Sequence, residues 1–354
     1  MDIPTGEVRD GRVELDSGRE ASALYSKGFH GTPKTGGGLS LSLVEAAYLV
    51  ESGRLRVKSG GADAPLAALV TMGGAADARF EARYLVYREF RERGYVIREE
   101  PASAGIDFSV RPRGATAKAA SSMWVQAFTE RGAFSAGECY SYASRAAGLS
   151  KQAVLGIADE EGDVTFYELT LGLPKSKAKQ GATEPAQGTL VGDRTVVAGA
   201  DAERLAESEE MFGKRLKDLL RLSLIESAFL VAERRLSVSR PDGEKMSAAA
   251  LAEFGASRHP DFAMRLAAYT DMRHLGLLPK TGFKYGSDFR VYERAEGSPH
   301  ARYLVHAVPS SHSSPWPELA RSVRLSHGVR KRLVLALVSP DRSVQYLHVA
   351  WARP

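Results

Sequence analysis

Apolar positions recur at helical spacing through LSLVEAAYLV, from Leu41, and give way to a short alternating stretch ending at Val57. That pattern predicts an amphipathic helix followed by a strand. It returns roughly 180 residues later: LSLIESAFLVAERRLSV, Leu222 to Val238, aligns without a gap on Leu41 to Val57, with ten of seventeen positions identical. Most of the remaining positions are conservative, such as Val44/Ile225 and Tyr48/Phe229. Chance does not produce this within one chain, so the sequence carries an internal duplication.

The correspondence continues downstream. YLVYREFRERGYVI, from Tyr84, parallels LAAYTDMRHLGLLP, from Leu266, and matches Tyr87 with Tyr269 and Gly94 with Gly276. GIDFSV at Gly105 parallels GSDFRV at Gly286, and LSKQAVLGIADEEGDV from Leu149 parallels VRKRLVLALVSPDRSV from Val329. Each copy reads as helices, a helix-to-strand step, a strand pair, a helix and a closing strand pair, which predicts a mixed α/β (α+β) fold in tandem. The expected division is 1–172 for the first repeat, with subdomains 1–75 and 76–172, and 191–354 for the second, with subdomains 191–260 and 261–354. Between them, 173–190 is rich in Gly, Pro, Lys and Ala and is expected to be an exposed linker.

Composition narrows the function classes. A length of 354 residues favours two domains. No run of about 18 apolar residues exists, which argues against a membrane-spanning helix. The start, MDIPTGEVRDGRVELD, lacks an apolar h-region and argues against a secretory signal. The single Cys139 excludes an internal disulfide framework and a multi-cysteine zinc site. The chain is therefore read as intracellular, and cytoplasmic. A net charge of +5 favours an acidic partner only weakly, but RSVRLSHGVRKR, Arg321 to Arg332, holds five Arg/Lys and no acid. That run has two readings, a solvated helix face or a phosphate-binding surface.

Differences between the copies point to chemistry. In YGSDFRVYERAEGSPHARYLVHAV, alternation puts Phe289 and Val291 on one strand face and Asp288, Arg290 and Tyr292 on the other. The turn ERAEGSP follows and His300 opens the next strand, so Tyr292 and His300 are expected to lie close in space. A helix is expected from about Pro317, with Gly328 as its terminator, and Lys331 stands at the entrance of LVLALV. In the first copy the Tyr292 position is Arg111, that of His300 falls near Ser121, and only Lys151 retains its type. The first repeat reads as a scaffold without chemistry.

A phenol, an imidazole and an ammonium together suit attack of a ribose 2′-OH on its own 3′-phosphate. That reaction needs a base for the 2′-OH, an acid for the departing 5′-oxygen and a cation for the charge on the phosphorane. An imidazole supplies a proton near neutrality. A phenol is a poor base at its ordinary pKa of about 10 and needs an adjacent cation, which Lys331 would provide. The scheme needs 2′-hydroxyls, so RNA and not DNA is the expected substrate, and it calls for no metal and no cofactor. A strand tyrosine is by itself more often packing, and a surface histidine more often inert. A metal-dependent nuclease is a rival because of Asp288, but that site wants clustered carboxylates, and the same Asp recurs as Asp107 in the inert copy.

FKYGSDFRVYERAEGSPHARYLVHAV followed by VRLSHGVRKRLVLALV closely resembles the catalytic domain of archaeal tRNA-splicing endonucleases, with its GxDFRxY strand, the following His and a GVRK turn. LSLSLVEAAYLVESGRLRV, from Leu39, is similar to the family's N-terminal segment. The resemblance implies a nuclease-like catalytic subdomain in each unit, with Tyr292 as general base, His300 as general acid and Lys331 as transition-state stabiliser. It implies cleavage of precursor tRNA at a bulge-helix-bulge, leaving a 2′,3′-cyclic phosphate and a 5′-hydroxyl. Two further family positions, which bracket a flipped-out bulge base, fall on Arg324 and Trp351. Trp351 has a second reading, as packing at a subunit contact. Two-repeat members form homodimers in which an acidic loop of the inert repeat docks on the partner subunit. Here that loop is ADEEGDV, with Asp159, Glu160, Glu161 and Asp163, against SPDRSV in the second copy. A solvated hairpin turn is the alternative.

Overall fold

The computed structural model describes residues 3–115, 119–176, 184–208, 210–293 and 300–354. Packing divides the chain into two units: 1–170 with 313–321 and 349–354, and 171–312 with 322–348. Each has its own apolar core, one gathered from Val13 to Phe166 and the other from Ala186 to Tyr346. The fold is mixed α/β and repeated in tandem. Among the described residues no helix is long and apolar enough to cross a membrane.

In the first unit a six-stranded sheet is built around Thr5–Arg9, which pairs antiparallel with Arg12–Leu15 and parallel with Arg56–Ser59. The strands Val96–Glu99, Phe108–Arg111, Met123–Thr129, Gln152–Ala158 and Val164–Leu171 then lie side by side, antiparallel except for the central parallel pair. The second unit repeats both. Its six-stranded sheet centres on Ala186–Val191, and Leu278–Thr281, Phe289–Tyr292, Tyr303–Pro309, Arg332–Val338 and Val344–Ala352 follow one another in space.

The duplication extends to individual hydrogen bonds. Helix Leu43–Glu51 opens with a capping box between Ser42 and Glu45, and helix Leu224–Ala232 with one between Ser223 and Glu226. Each satisfies two amides that the first helical turn leaves without partners. The same carboxylates accept from Gly31 N–H at 2.9 Å and from Gly213 N–H at 3.0 Å, at backbone turns with φ of +70° and +58°. Buried Tyr87 accepts from Arg91 Nε, and buried Tyr269 from Arg273 Nε, both at 2.8 Å. A Cβ on Gly73 would meet the Phe80 ring at 2.3 Å, and one on Gly255 the Phe262 ring at 2.4 Å, so both helix pairs need glycine for their close approach.

Three details depart from the sequence reading. The strand after Tyr292 begins at Tyr303, leaving His300 three residues short of it. Strand Ala186–Val191 starts inside the stretch read as linker, because its Ala, Gly and Thr residues resemble linker composition. Helix Trp316–Gly328 ends on the expected glycine, but the left-handed turn is taken by Arg330, φ 54°, as by Ser150, φ 55°, in the first repeat. The turn at 294–299 and the linker centre at 177–183 lie outside the described residues.

Candidate active site

Strand register brings the second unit's candidate groups to one end of its sheet. Phe289–Tyr292 runs antiparallel to Tyr303–Pro309, pairing Val291 with Tyr303, and the latter runs parallel to Arg332–Val338, pairing Tyr303 with Arg332. The backbone continues one step beyond these pairs: Arg302 N–H donates to Val291 O at 3.0 Å, and Arg332 N–H donates to Arg302 O at 2.9 Å. Tyr292, Arg302 and Lys331 therefore form one row across three neighbouring strand ends, with Tyr292 and Lys331 two strand spacings, about 10 Å of backbone, apart. His300 lies two residues before Arg302 and is exposed. The opposite face of these strands, with Val291, Tyr303, Val305 and Val334, packs into the core together with Tyr269 and Met272 of helix Phe262–His274. Alternation therefore leaves Tyr292 and Lys331 on the other face.

Side chains around the row fix it. Lys331 Nζ sits 5.3 Å from the Tyr285 ring centroid and 3.4 Å from Val329 O. A cation over an aromatic face at this range gains about 0.5–1 kcal/mol where water is near. The first-repeat counterpart, Lys151, instead donates to Ser121 O. Arg111, at the Tyr292 position, sends Nε to Ala119 O at 2.9 Å, so a guanidinium tied to a carbonyl occupies the place of the phenol. Glu293 anchors the end of the tyrosine strand: it accepts from Tyr303 Oη at 2.6 Å and from the Arg302 guanidinium. Burial opposes ionisation of Glu293, but these two hydrogen bonds and the Arg302 charge outweigh it and hold the carboxyl below its ordinary value. His306, half-buried on the tyrosine face, is pushed below the ordinary histidine value by burial, with Asp288 acting in the opposite sense.

Asp288, the candidate ligand of the metal-nuclease rival, accepts from Ala307 N–H at 2.9 Å and pairs with Arg265 at 3.0 Å. Asp107 does the same with Ala127 N–H at 2.8 Å and Arg79 at 3.0 Å. In both copies the carboxylate ties the middle strand to the preceding helix region, which is a structural task.

Arg324 is exposed on helix Trp316–Gly328, two residues before Ser326, whose carbonyl accepts from Lys331 N–H at 2.9 Å. Trp351 falls in the first packing unit and is 48% exposed, with the Arg353 guanidinium 5.1 Å from its ring. Asp159, Glu160, Glu161 and Asp163 are all exposed at one hairpin. Asp159 Oδ1 accepts from both Glu161 and Asp163 N–H at 3.0 Å, so it builds the turn, and Glu160 pairs with Arg131 at 2.7 Å. The sequence reading did not single out Tyr285 or Glu293, and it placed Arg290 only on the polar strand face. Comparing copies position by position flags all three, which stand where the first copy has Ala104, Pro112 and Ser109 respectively.

The family model described as the tRNA intron endonuclease catalytic C-terminal domain matches residues 80–166 and again 262–346. The tRNA intron endonuclease N-terminal domain matches 5–70 and 186–252. The chain is 34% identical over 350 residues to a tRNA-splicing endonuclease of Methanococcoides burtonii, covering 97% of this chain and 98% of that protein. It is 35% identical to that of Methanosarcina mazei, over 94% and 95%, and 33% identical to that of Natronomonas pharaonis, over 99% of both.

Proposed function

This chain belongs to the tRNA intron endonuclease family, and from that premise we propose that it cuts precursor tRNA at intron boundaries within a bulge-helix-bulge, without a metal, through Tyr292, His300 and Lys331. The observation that carries the reading is the row at the sheet end, with Tyr292 and Lys331 flanking Arg302 and His300 two residues away. In the proposed step the Tyr292 oxygen takes the 2′-OH proton and the 2′-oxygen bonds to phosphorus. The bond from phosphorus to the 5′-oxygen then breaks, and His300 protonates the leaving oxygen. Lys331 offsets the charge that grows on the non-bridging oxygens. The products are a 2′,3′-cyclic phosphate and a 5′-hydroxyl. Arg324, by its guanidinium plane, and Trp351, by its indole face, are each suited to stack on a bulge base.

The test is incubation with a bulge-helix-bulge RNA in EDTA, followed by end-group analysis. Cyclic phosphate ends at undiminished rate are expected; cleavage abolished by EDTA and restored by magnesium would defeat the scheme.

The proposal includes a homodimer, since one site per chain and two scissile bonds per RNA element call for two chains about a twofold axis. The exposed acidic hairpin of the first repeat is the docking element, while the matching second-repeat turn, closed by Ser343 N–H to Asp341 at 3.0 Å, carries fewer acids. Charge reversal at Glu160 and Glu161 leaves the turn intact, because Asp159 and Gly162, φ +84°, build it. Light scattering is expected to report monomers for that variant; a dimer of unchanged mass and full activity would remove the docking role.

A further inference from the structure

Both units enclose a cleft between the N-terminal sheet and the subdomain that follows, of about 820 Å³ in the first and about 470 Å³ in the second. Four arginines face five carboxylates in the first. In the second, six Arg/Lys face only Glu226 and Asp288, and both acids are already ion-paired, with Lys280 at 2.8 Å and with Arg265 at 3.0 Å. Arg194 pairs with its neighbour Asp193 at 2.7 Å. Among the described residues no carboxylate pairs with Lys214, Arg221 or Arg290.

Strand register and helix ends identify where the charge came from. Thr32 pairs with Ser40 in the first unit, and Lys214 with Arg221 in the second. Arg98 pairs with Ser109, and Lys280 with Arg290. The residue that ends the corresponding helix is Asp77 in one and His259 in the other, with the same extended backbone. At each of these places the second copy has gained a base or lost an acid. The gain is costly in the free protein, because like charges directly opposite on neighbouring strands repel. An anion bound between them would offset that cost. The cleft's aromatic residues, Phe262, Tyr269 and Phe289, are each no more than 3% exposed, so they offer no surface for a base to stack on. At its inner end the Arg290 guanidinium lies 5.8 Å from the Tyr292 ring, and its Nε is buried without a hydrogen-bond partner.

We propose that this cleft holds backbone phosphates of the RNA flank as it leaves the cut bond, with Lys214 and Arg221 at its outer end and Arg290 handing the strand to Tyr292. The proposal rests on the reading of the Tyr292 site as the place of RNA cleavage. Contacts of this kind set the register of the RNA and carry no base specificity.

The test uses full-length protein with Tyr292→Phe for binding and with native Tyr292 for kinetics, against a labelled bulge-helix-bulge RNA over a salt series. Each phosphate contact contributes about 0.7–0.9 to the slope of log affinity against log salt. Lys214→Ala with Arg221→Ala is expected to reduce that slope by about 1.4–1.8 and to raise KM about tenfold with kcat within about twofold. Lys245→Glu, the same two-unit change in charge at a cation outside the cleft, controls for net charge. A slope no lower than that of the control, while the native protein still cleaves, overturns the cleft and leaves the site standing. A native protein that binds the RNA but does not cut it overturns the site instead.

Discussion

Tyr292→Phe is expected to lower cleavage roughly 10²–10⁴-fold, the effect of removing one positioned proton carrier, and to leave precursor affinity within about twofold of the native protein. His300→Ala is expected to have an effect of the same size. The double variant falls little further than the worse single one, because groups acting on one transition state do not contribute additively. Tyr292 is half-buried at the end of a short strand that is paired to its neighbour through the backbone, a pairing phenylalanine keeps. Phenylalanine keeps its ring contacts, including the one with Arg290 at 5.8 Å, so the loss is chemical and not a loss of fold. Single-turnover cleavage with separate binding curves checks this. Cleavage surviving both changes would assign the chemistry to other residues and leave this surface with at most an RNA-binding role.

The second large effect is on stability and separates the two repeats. Glu226 and Glu45 occupy the same place in the same capping box, yet only Glu226 has an ammonium beside it, Lys280 Nζ at 2.8 Å. Burial disfavours the Glu226 carboxylate, but Lys280 and the amide donors overcome it and its pKa lies below the ordinary value. At Glu45 burial wins over the Gly31 and Ser42 amides, and the pKa lies above it. Glu226→Gln leaves a buried ammonium without its counter-charge, and about 3 kcal/mol of protection is expected to vanish from helix Leu224–Ala232. Glu45→Gln removes a carboxyl that makes no ion pair among the described residues and feels only the more distant charge of Arg91, and helix Leu43–Glu51 is expected to stay within about 1 kcal/mol of its native protection.

The pH dependences are opposite in sign. The Glu226 contribution is present above the ordinary carboxylate range and is lost as pH falls through its lowered pKa. The Glu45 contribution is present in acid and is lost as pH rises from the ordinary glutamate value to its raised one. Hydrogen exchange resolves the two helices within the intact chain; equal losses in both would show that Lys280 is not the cause.

Much of this was legible in the chain. The alignment of Leu41–Val57 with Leu222–Val238 located both helices; the capping boxes that open them came from the structure, although Ser and Glu three residues apart, Ser42/Glu45 and Ser223/Glu226, carry that spacing in the sequence. The catalytic candidates were legible for a related reason: the two copies share their cores, so Arg111 against Tyr292 stands out where packing imposes no difference. Asp288 reads as structural in the sequence because it recurs as Asp107, and in the structure both carboxylates accept from a strand amide and pair with an arginine of the preceding helix region. Alternation placed Arg290 on the polar face, but not its like-charged neighbour Lys280, because cross-strand pairing is set by register and not by local pattern. Tyr285 escaped notice because its ring matters only through Lys331, 46 residues further along the numbering. The strand at Ala186 was hidden by its composition, small and polar residues that earn their place only by pairing with Val197 and Leu236.

The sequence by itself determined the duplication, the alternation that turns Tyr292 away from the core, and the presence of Arg111 in the first copy where the second has Tyr292. These follow from periodicity and from the comparison of two copies under one packing constraint. Tertiary structure alone decided which strand ends meet, that Arg302 stands between Tyr292 and Lys331, and that Lys214, Arg221 and Arg290 share one cleft. Register and charge proximity arise only when strands far apart in the chain exchange backbone hydrogen bonds, and no local pattern encodes that pairing.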